Sequence, residues 1–395
     1  NVNEWSIDKK ALSEYLCYQT PMNGRTLFDG IQILKPGHHM IIDLKKVSIL
    51  QDRPYWSSNL NENKNSFTVA LEKVSKCFKS SVKRHLLSDV PISTTLSSGF
   101  DSAIVTAQVA ELTNKSIDTY TGSFHQEGGW YDETDAANDL TNEINGKHNI
   151  VNISADDFIT YFDDMIYALD EPRMGIGAFP QYMVARQASK DYKVILHGHG
   201  GDELFSGYPI FKFTNKKGWM NLKMNEFPHL AYFIISKIRS FLSPEYGRFM
   251  PVLWNTQAQE KLFGRSYEFE PWNFLEYIQK KEALTINQIF QTYLNVYLPN
   301  LLIVEDKVSM AHSIESRTPL LDNDMISLSL SISQTVKLNE GTLKALIKAK
   351  AKRLLPKSFF NQPKRGFPTP FSQWARGPLS ETISKRLVSK DTPLN

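Results

Sequence analysis

The strongest constraint on this chain is an alternation. Short apolar segments at 90–96, 117–124, 149–153 and 193–197 are interleaved with helical patterns at 67–87, 101–113 and 132–144 and with further helices up to Lys190. A helix between successive strands returns the chain to the edge it left, so the strands run parallel, and a parallel sheet needs cover on both faces. The expected class is α/β, a doubly wound parallel sheet. Beyond about Phe211 the strand signal fades and aromatic-rich helical patterns continue, giving a large helical C-terminal part.

Residues 1–60 have a different character. A helical pattern at 9–18 precedes apolar runs at 31–34 and 39–44, with turn signals at Asn23-Gly24, Asp29-Gly30 and Pro36-Gly37. This reads as a small β-rich segment, too short to bury a core alone. An asparagine-rich stretch at 57–66 reads as a linker to a second domain at 61–395. The net charge of +3 is too small to point to nucleic acid. The apolar stretch at 230–242 is interrupted by Lys237 and Arg239 and is too short to span a bilayer. Cys17 and Cys77 make neither a disulfide framework nor a CxxC pair. A cytoplasmic protein with no nucleic-acid or membrane partner is expected.

Leu96-Ser97-Ser98-Gly99-Phe100-Asp101-Ser102 falls where a strand ends and a helix begins. In an open α/β sheet that edge binds ligands. Small residues let the backbone approach an anion, and the unpaired N–H groups of a first helical turn attract phosphate. Ser97 and Ser102 add hydroxyls. Asp101 would repel phosphate unless a cation lay between them, which points to Mg²⁺. The alternative is a plain turn with an Asp favouring the helix dipole. Ile104, Val105, Val109 and Leu112 place one face of this helix on the sheet. The pattern GxxxxGK[ST] is missing, so a kinase-type phosphate loop is not supported.

These residues resemble the SGGxDS pyrophosphate loop of ATP pyrophosphatases. His197-Gly198-His199-Gly200-Gly201-Asp202-Glu203 through Tyr208 is similar to the SGxGxDExFGGY block of the asparagine synthetase family. Glu305 to His312 with Glu315 to Asp322 resembles that family's DRxSMAHxxExRxPFLD block. Leu355-Pro356 through Lys364-Arg365-Gly366-Phe367 to Trp374 resembles a fourth block, and Tyr131-Asp132-Glu133 and Asp170-Glu171-Pro172 are weaker matches. Residues 1–60 resemble the last segment of the family's glutaminase domain, whose cysteine nucleophile stands at the extreme N-terminus. Asn1 opens this sequence, so no glutamine hydrolysis is expected of it as written.

The resemblance implies an ATP- and Mg²⁺-using ligase. It places ATP against Thr95, Ser97, Ser98, Gly99, Asp101, Ser102, Thr121 and Gly198, and magnesium on Asp101 and Asp202. Lys307 and Lys364 become cations beside the reacting phosphate or acyl group, where negative charge builds. Glu203, Arg317 and Asp322 carry over as substrate-pocket residues, although a structural ion pair explains Arg317 and Asp322 as well. Most of the eight basic residues from Lys344 to Arg365 read as a solvated helix face. Ser98 replaces the loop's usual second Gly. His199 replaces the Glu of the SGEG portion and is similar to the GHGGD stretch of macrolactam synthetases; an imidazole there still serves as a general base. His197 reads as a packed neighbour.

The leading expectation is adenylation of a small-molecule or peptide carboxylate, followed by amide formation with ammonia from a glutaminase domain or subunit. The alternatives are closure of an internal amide, as in macrolactam or β-lactam synthetases, and a non-catalytic nucleotide-binding subunit. The resemblance also admits a homodimer.

Overall fold

The computed structural model describes residues 6–125, 134–213, 286–361 and 369–388. Tyr131-Asp132-Glu133, the 230–242 stretch and Lys364-Arg365-Gly366-Phe367 lie outside the described residues. The chain divides into two compact units, one of Asn1–Asn61, Glu171–Met174 and Pro209–Leu301, the other of Glu62–Asp170, Gly175–Tyr208 and Leu302–Asn395.

In the first unit, α1 (Lys9–Tyr18) starts at Asp8, whose carboxylate accepts from Lys10 and Ala11 N–H. Strands β1 (His38–Asp43) and β2 (Ser48–Pro54) form an antiparallel hairpin with a register shift at Ile41/Ile42. The apolar run at 39–44 becomes β1, while 31–34 contributes only an isolated bridge, Arg25 to Gln32. The hairpin leaves Ile42, Leu44, Val47, Ile49 and Leu50 exposed. Among the described residues of this unit, buried Glu14 pairs with Arg25, and buried Arg173 with Glu171 and the Asn300 side-chain oxygen.

The second unit holds a five-stranded sheet of β3 (Ile92–Thr95), β4 (Thr119–Ser123), β5 (His148–Asn152), β6 (Val194–Leu196) and β7 (Glu315–Arg317). The order is β5-β4-β3-β6-β7, and every neighbouring pair is parallel. The first four strands sit where the apolar segments place them. The fifth was not expected: three residues with one intermediate-length charged side chain at each end carry no strand signal of their own. The chain lays β3, β4 and β5 outward in one direction, then returns to set β6 and β7 on the other side of β3. The reversal of strand order therefore falls between β3 and β6. Loops leaving the carboxyl ends at such a reversal diverge and leave a crevice.

Helix α2 (Phe67–His85) is capped by Ser66 and buries Ala70, Leu71, Val74, Phe78 and Val82, a three-and-four spacing that makes one apolar stripe. The helix α3 (Phe100–Thr113) departs from expectation. Ala103 through Val109 are all buried, polar Thr106 and Gln108 included, while Leu112 is only half-buried. It is a helix packed nearly all round, and Thr106 Oγ1 donates to Thr94 Oγ1 at 2.9 Å to tie it to β3. Helices α4 (Thr134–Glu143), α5 (Ala155–Leu169) and α6 (Ala178–Ala188) complete the crossovers, with a Ser154–Asp157 capping box opening α5. Among the described residues no helix is long and apolar enough to cross a membrane.

Candidate active site

The loop after β3 is held by its own hydroxyls. Ser97 N–H donates to Ser102 Oγ at 3.1 Å, the Ser97 and Ser102 hydroxyls lie 3.0 Å apart, and Gly99 N–H donates to Ser97 Oγ at 3.2 Å. Gly99 begins α3 without any side-chain cap. The first-turn N–H groups of this 14-residue helix therefore have no helical acceptor. Asp101 lies in that first turn.

The loop after β6 carries the second half. Gly198 packs directly on the backbone of Asp101 and Ser102, and Gly201 on the Asp101 carboxyl. Gly200 has φ +96°, the left-handed region that glycine enters without penalty, and the turn it makes opens α7 (Gly201–Leu204) with Asp202 in its first turn. The two glycine contacts and this turn bring Asp202 to Asp101.

Between the carboxylates lies Lys344. Its ammonium pairs with Asp101 and stands 2.7 Å from Asp202 Oδ1, with the lysine side chain only 5% exposed. Burial works against this charge, but Asp101 and Asp202 more than reverse that effect and hold Lys344 above its ordinary range. Two carboxylates already share one cation, and both offer the hard oxygens that a divalent cation such as Mg²⁺ favours. Lys344 is the residue the sequence reading missed. Its backbone, with φ +53°, begins the helix Ala345–Ala351 and turns the side chain out of the basic run.

Removing that amine leaves two acidic groups facing each other. Breaking a fully buried pair costs about 3–5 kcal/mol; Asp202 keeps 22% of its side chain exposed, which lowers the expectation. Lys344→Met should destabilise the free chain by about 2 kcal/mol, or roughly 4–8 °C in Tm for a unit of this size. Millimolar magnesium should restore most of it. Thermal scans with and without the metal check this, and equal melting of both proteins would contradict it.

Beside this cluster stands a second one. His199 Nε2 lies 3.0 Å from Glu305 Oε2, and His197 Nε2 lies 3.0 Å from Glu305 Oε1. Glu305, on the helix Leu298–Met310, is 3% exposed and accepts from Ser309 Oγ at 2.9 Å and Ser316 Oγ at 3.1 Å. Burial disfavours its charge, but the two imidazoles and the hydroxyls reverse this and keep it anionic. Burial pushes His197 down to about 4, so that ring is neutral. Burial also works against charge on His199, but its bond to Glu305 outweighs that and raises it. In the sequence Glu305 is marked only by its place at the start of the Glu305–His312 block.

The remaining candidates divide. Thr95 Oγ1 lies 3.0 Å from His197 Nδ1. Thr121 donates to Leu96 O at 2.7 Å and lies 2.8 Å from His148 Nε2, linking β4 to its neighbours. Ser98 is buried. Glu203 is buried and receives the Tyr208 hydroxyl, while burial raises its carboxyl. Lys307 pairs with Asp170. Arg317 donates to His85 O at 2.7 Å and Leu87 O at 2.8 Å, closing the end of α2, and Asp322 pairs with Arg84 and caps the helix Asn323–Ser331. Both side chains thus have the structural partners that the sequence left open. Lys364 lies outside the described residues.

Residues 73–395 match the asparagine synthase family, and the chain belongs to it. The glutamine-hydrolysing asparagine synthetase 1 of Bacillus subtilis is 26% identical over 418 residues, covering 99% of this chain and 63% of that protein. The amidase chyE of Penicillium rubens is 21% identical over 431 residues, covering 94% of this chain and 63% of the other. The chain thus spans a little under two thirds of the length of these relatives. Among solved structures, the NH3-dependent NAD synthetase of Campylobacter jejuni overlays 36% of this chain and 61% of its own at 16% identity, with a TM-score of 0.26.

Proposed function

We propose that this chain activates a carboxylate with ATP, releasing pyrophosphate, and joins the resulting acyl-adenylate to a nitrogen nucleophile as an amide. One observation carries the reading: Asp101 and Asp202, from loops at the ends of adjacent strands, converge on a single cation beside an uncapped helix N-terminus. That arrangement suits a metal-bound triphosphate. Asp101 and Asp202 would hold magnesium, which when bound neutralises the phosphate oxygens. The first-turn N–H groups of α3 and the hydroxyls of Ser97 and Ser102 would orient the phosphates, and Thr95, Thr121 and Gly198 would lie near the adenine. Fixing carboxylate and α-phosphate side by side replaces a bimolecular encounter.

The second step needs a proton acceptor. With Nε2 of His199 committed to Glu305, Nδ1 carries the lone pair, and Glu305 stabilises the imidazolium that forms as the nitrogen attacks. An ammonia-using enzyme needs such a base less than one that must deprotonate an alkylammonium. The His199–Glu305 pair therefore favours, as a second reading, an amine carried by the substrate.

AMP and pyrophosphate release across a panel of carboxylates, with and without ¹⁵N-ammonium, tests both readings. Heavy nitrogen in a new amide supports ammonia. AMP release without label incorporation supports the internal amine. ATP binding without AMP from any carboxylate defeats both. His199→Ala should leave ATP–pyrophosphate exchange within about threefold of the parent while amide formation falls about 10²-fold, the usual worth of a general base. Equal losses in the two assays would remove His199 from the nitrogen step.

A further inference from the structure

The amide-forming reading leaves His197 without a task. This residue follows β6 and is 9% exposed. Its Nδ1 faces Thr95 Oγ1, and its Nε2, 3.0 Å from Glu305 Oε1, is not aligned to make a hydrogen bond there. Two polar atoms that are close but misaligned can both point toward a third position. His199 Nε2 closes the set from the other carboxylate oxygen, and the ligand atoms of all three residues lie within 4.8 Å of one another.

We propose that His197, His199 and Glu305 form a zinc-binding site whose occupancy blocks the nitrogen step. Two imidazoles and a carboxylate are a zinc donor set with a fourth position left open. The supporting partners are in place: the Thr95 hydroxyl lies 3.0 Å from His197 Nδ1, where accepting its N–H would leave that ring's lone pair on Nε2, while Ser309 and Ser316 steady the carboxylate. The Asp101–Asp202 pair offers oxygen alone and suits magnesium instead.

Zinc on His199 Nε2 takes the place of the proton shared with Glu305, and that proton moves to Nδ1, so the ring stays neutral. The ring then has no lone pair for an incoming amine. Adenylation, which uses Asp101 and Asp202, continues. The binding stands on the geometry alone; the inhibition rests on the amide-forming reading.

The test is a Zn²⁺ titration of the full chain against a chromophoric chelator, in saturating magnesium so that the carboxylate pair is occupied, followed by X-ray absorption of the loaded protein. One zinc per chain with two imidazole nitrogens is expected, and His197→Gln, which removes a ligand, should weaken binding by at least roughly 100-fold, the most that loss of a supporting outer partner alone costs. An all-oxygen shell, less than one zinc at micromolar metal, or unchanged affinity in folded His197→Gln overturns the site. Should that variant fail to fold, the absorption spectrum of the unaltered protein decides alone. Zinc held by two imidazoles with amide formation undiminished overturns the blocking role and leaves the site standing.

Discussion

Asp101→Asn is expected to lower AMP formation about 10³-fold, equivalent to about 4 kcal/mol of transition-state stabilisation. The amide keeps the shape of the carboxylate and removes one of two negative charges that meet at Lys344. A single negative charge attracts a divalent cation far less, so half-saturation with magnesium should rise in parallel. Stability should change little, because Lys344 keeps Asp202 as its partner and one fewer charge needs neutralising. Turnover at varied magnesium, paired with a thermal scan, separates chemistry from folding. AMP formation within tenfold of the parent would show that Asp101 is not part of the reacting centre.

Gly198→Ala is expected to disrupt the site by sterics. A Cβ there would stand 2.6 Å from the Asp101 carbonyl carbon and 2.8 Å from Ser102 Cα, closer than real Cβ contacts come. Both neighbours are backbone, so no rotamer change relieves the overlap and the two loops must separate. Overpacking of this kind costs about 3 kcal/mol, at the upper end of the ordinary range, or roughly 6–12 °C in Tm. Moving Asp202 away from Asp101 by about 1 Å adds an activity loss near 10²-fold. Gly177→Ala, with nothing within 4 Å of its Cβ, is the control and should stay within about 0.5 kcal/mol. Equal behaviour of the two variants would mean that the close approach of the loops is not needed.

Much of this arrangement could be read from the sequence for local reasons. Four strands and the helices between them carry their own periodicity. Asp101 and Asp202 each follow a strand through a turn of small residues, so the parallel-sheet rule alone sends both to one edge. Other features depend on contacts distant in the chain. Lys344 lies within a basic run and is distinguished only by a left-handed backbone and the two acids it meets. Strand β7 is too short to show a period and exists because β6 offers an open edge. Arg317 resembles a pocket cation in its motif, yet its guanidinium closes the end of α2. Glu305 carries no local mark that would distinguish it from a surface acid; burial and two facing imidazoles give it its role.

The lysine bridging Asp101 and Asp202 means that the crevice carries its own counter-ion. If magnesium nucleotide takes the two carboxylates, the released ammonium becomes the nearest mobile cation to the arriving triphosphate. One pairing is traded for another, and no acid is left bare at any stage of the exchange.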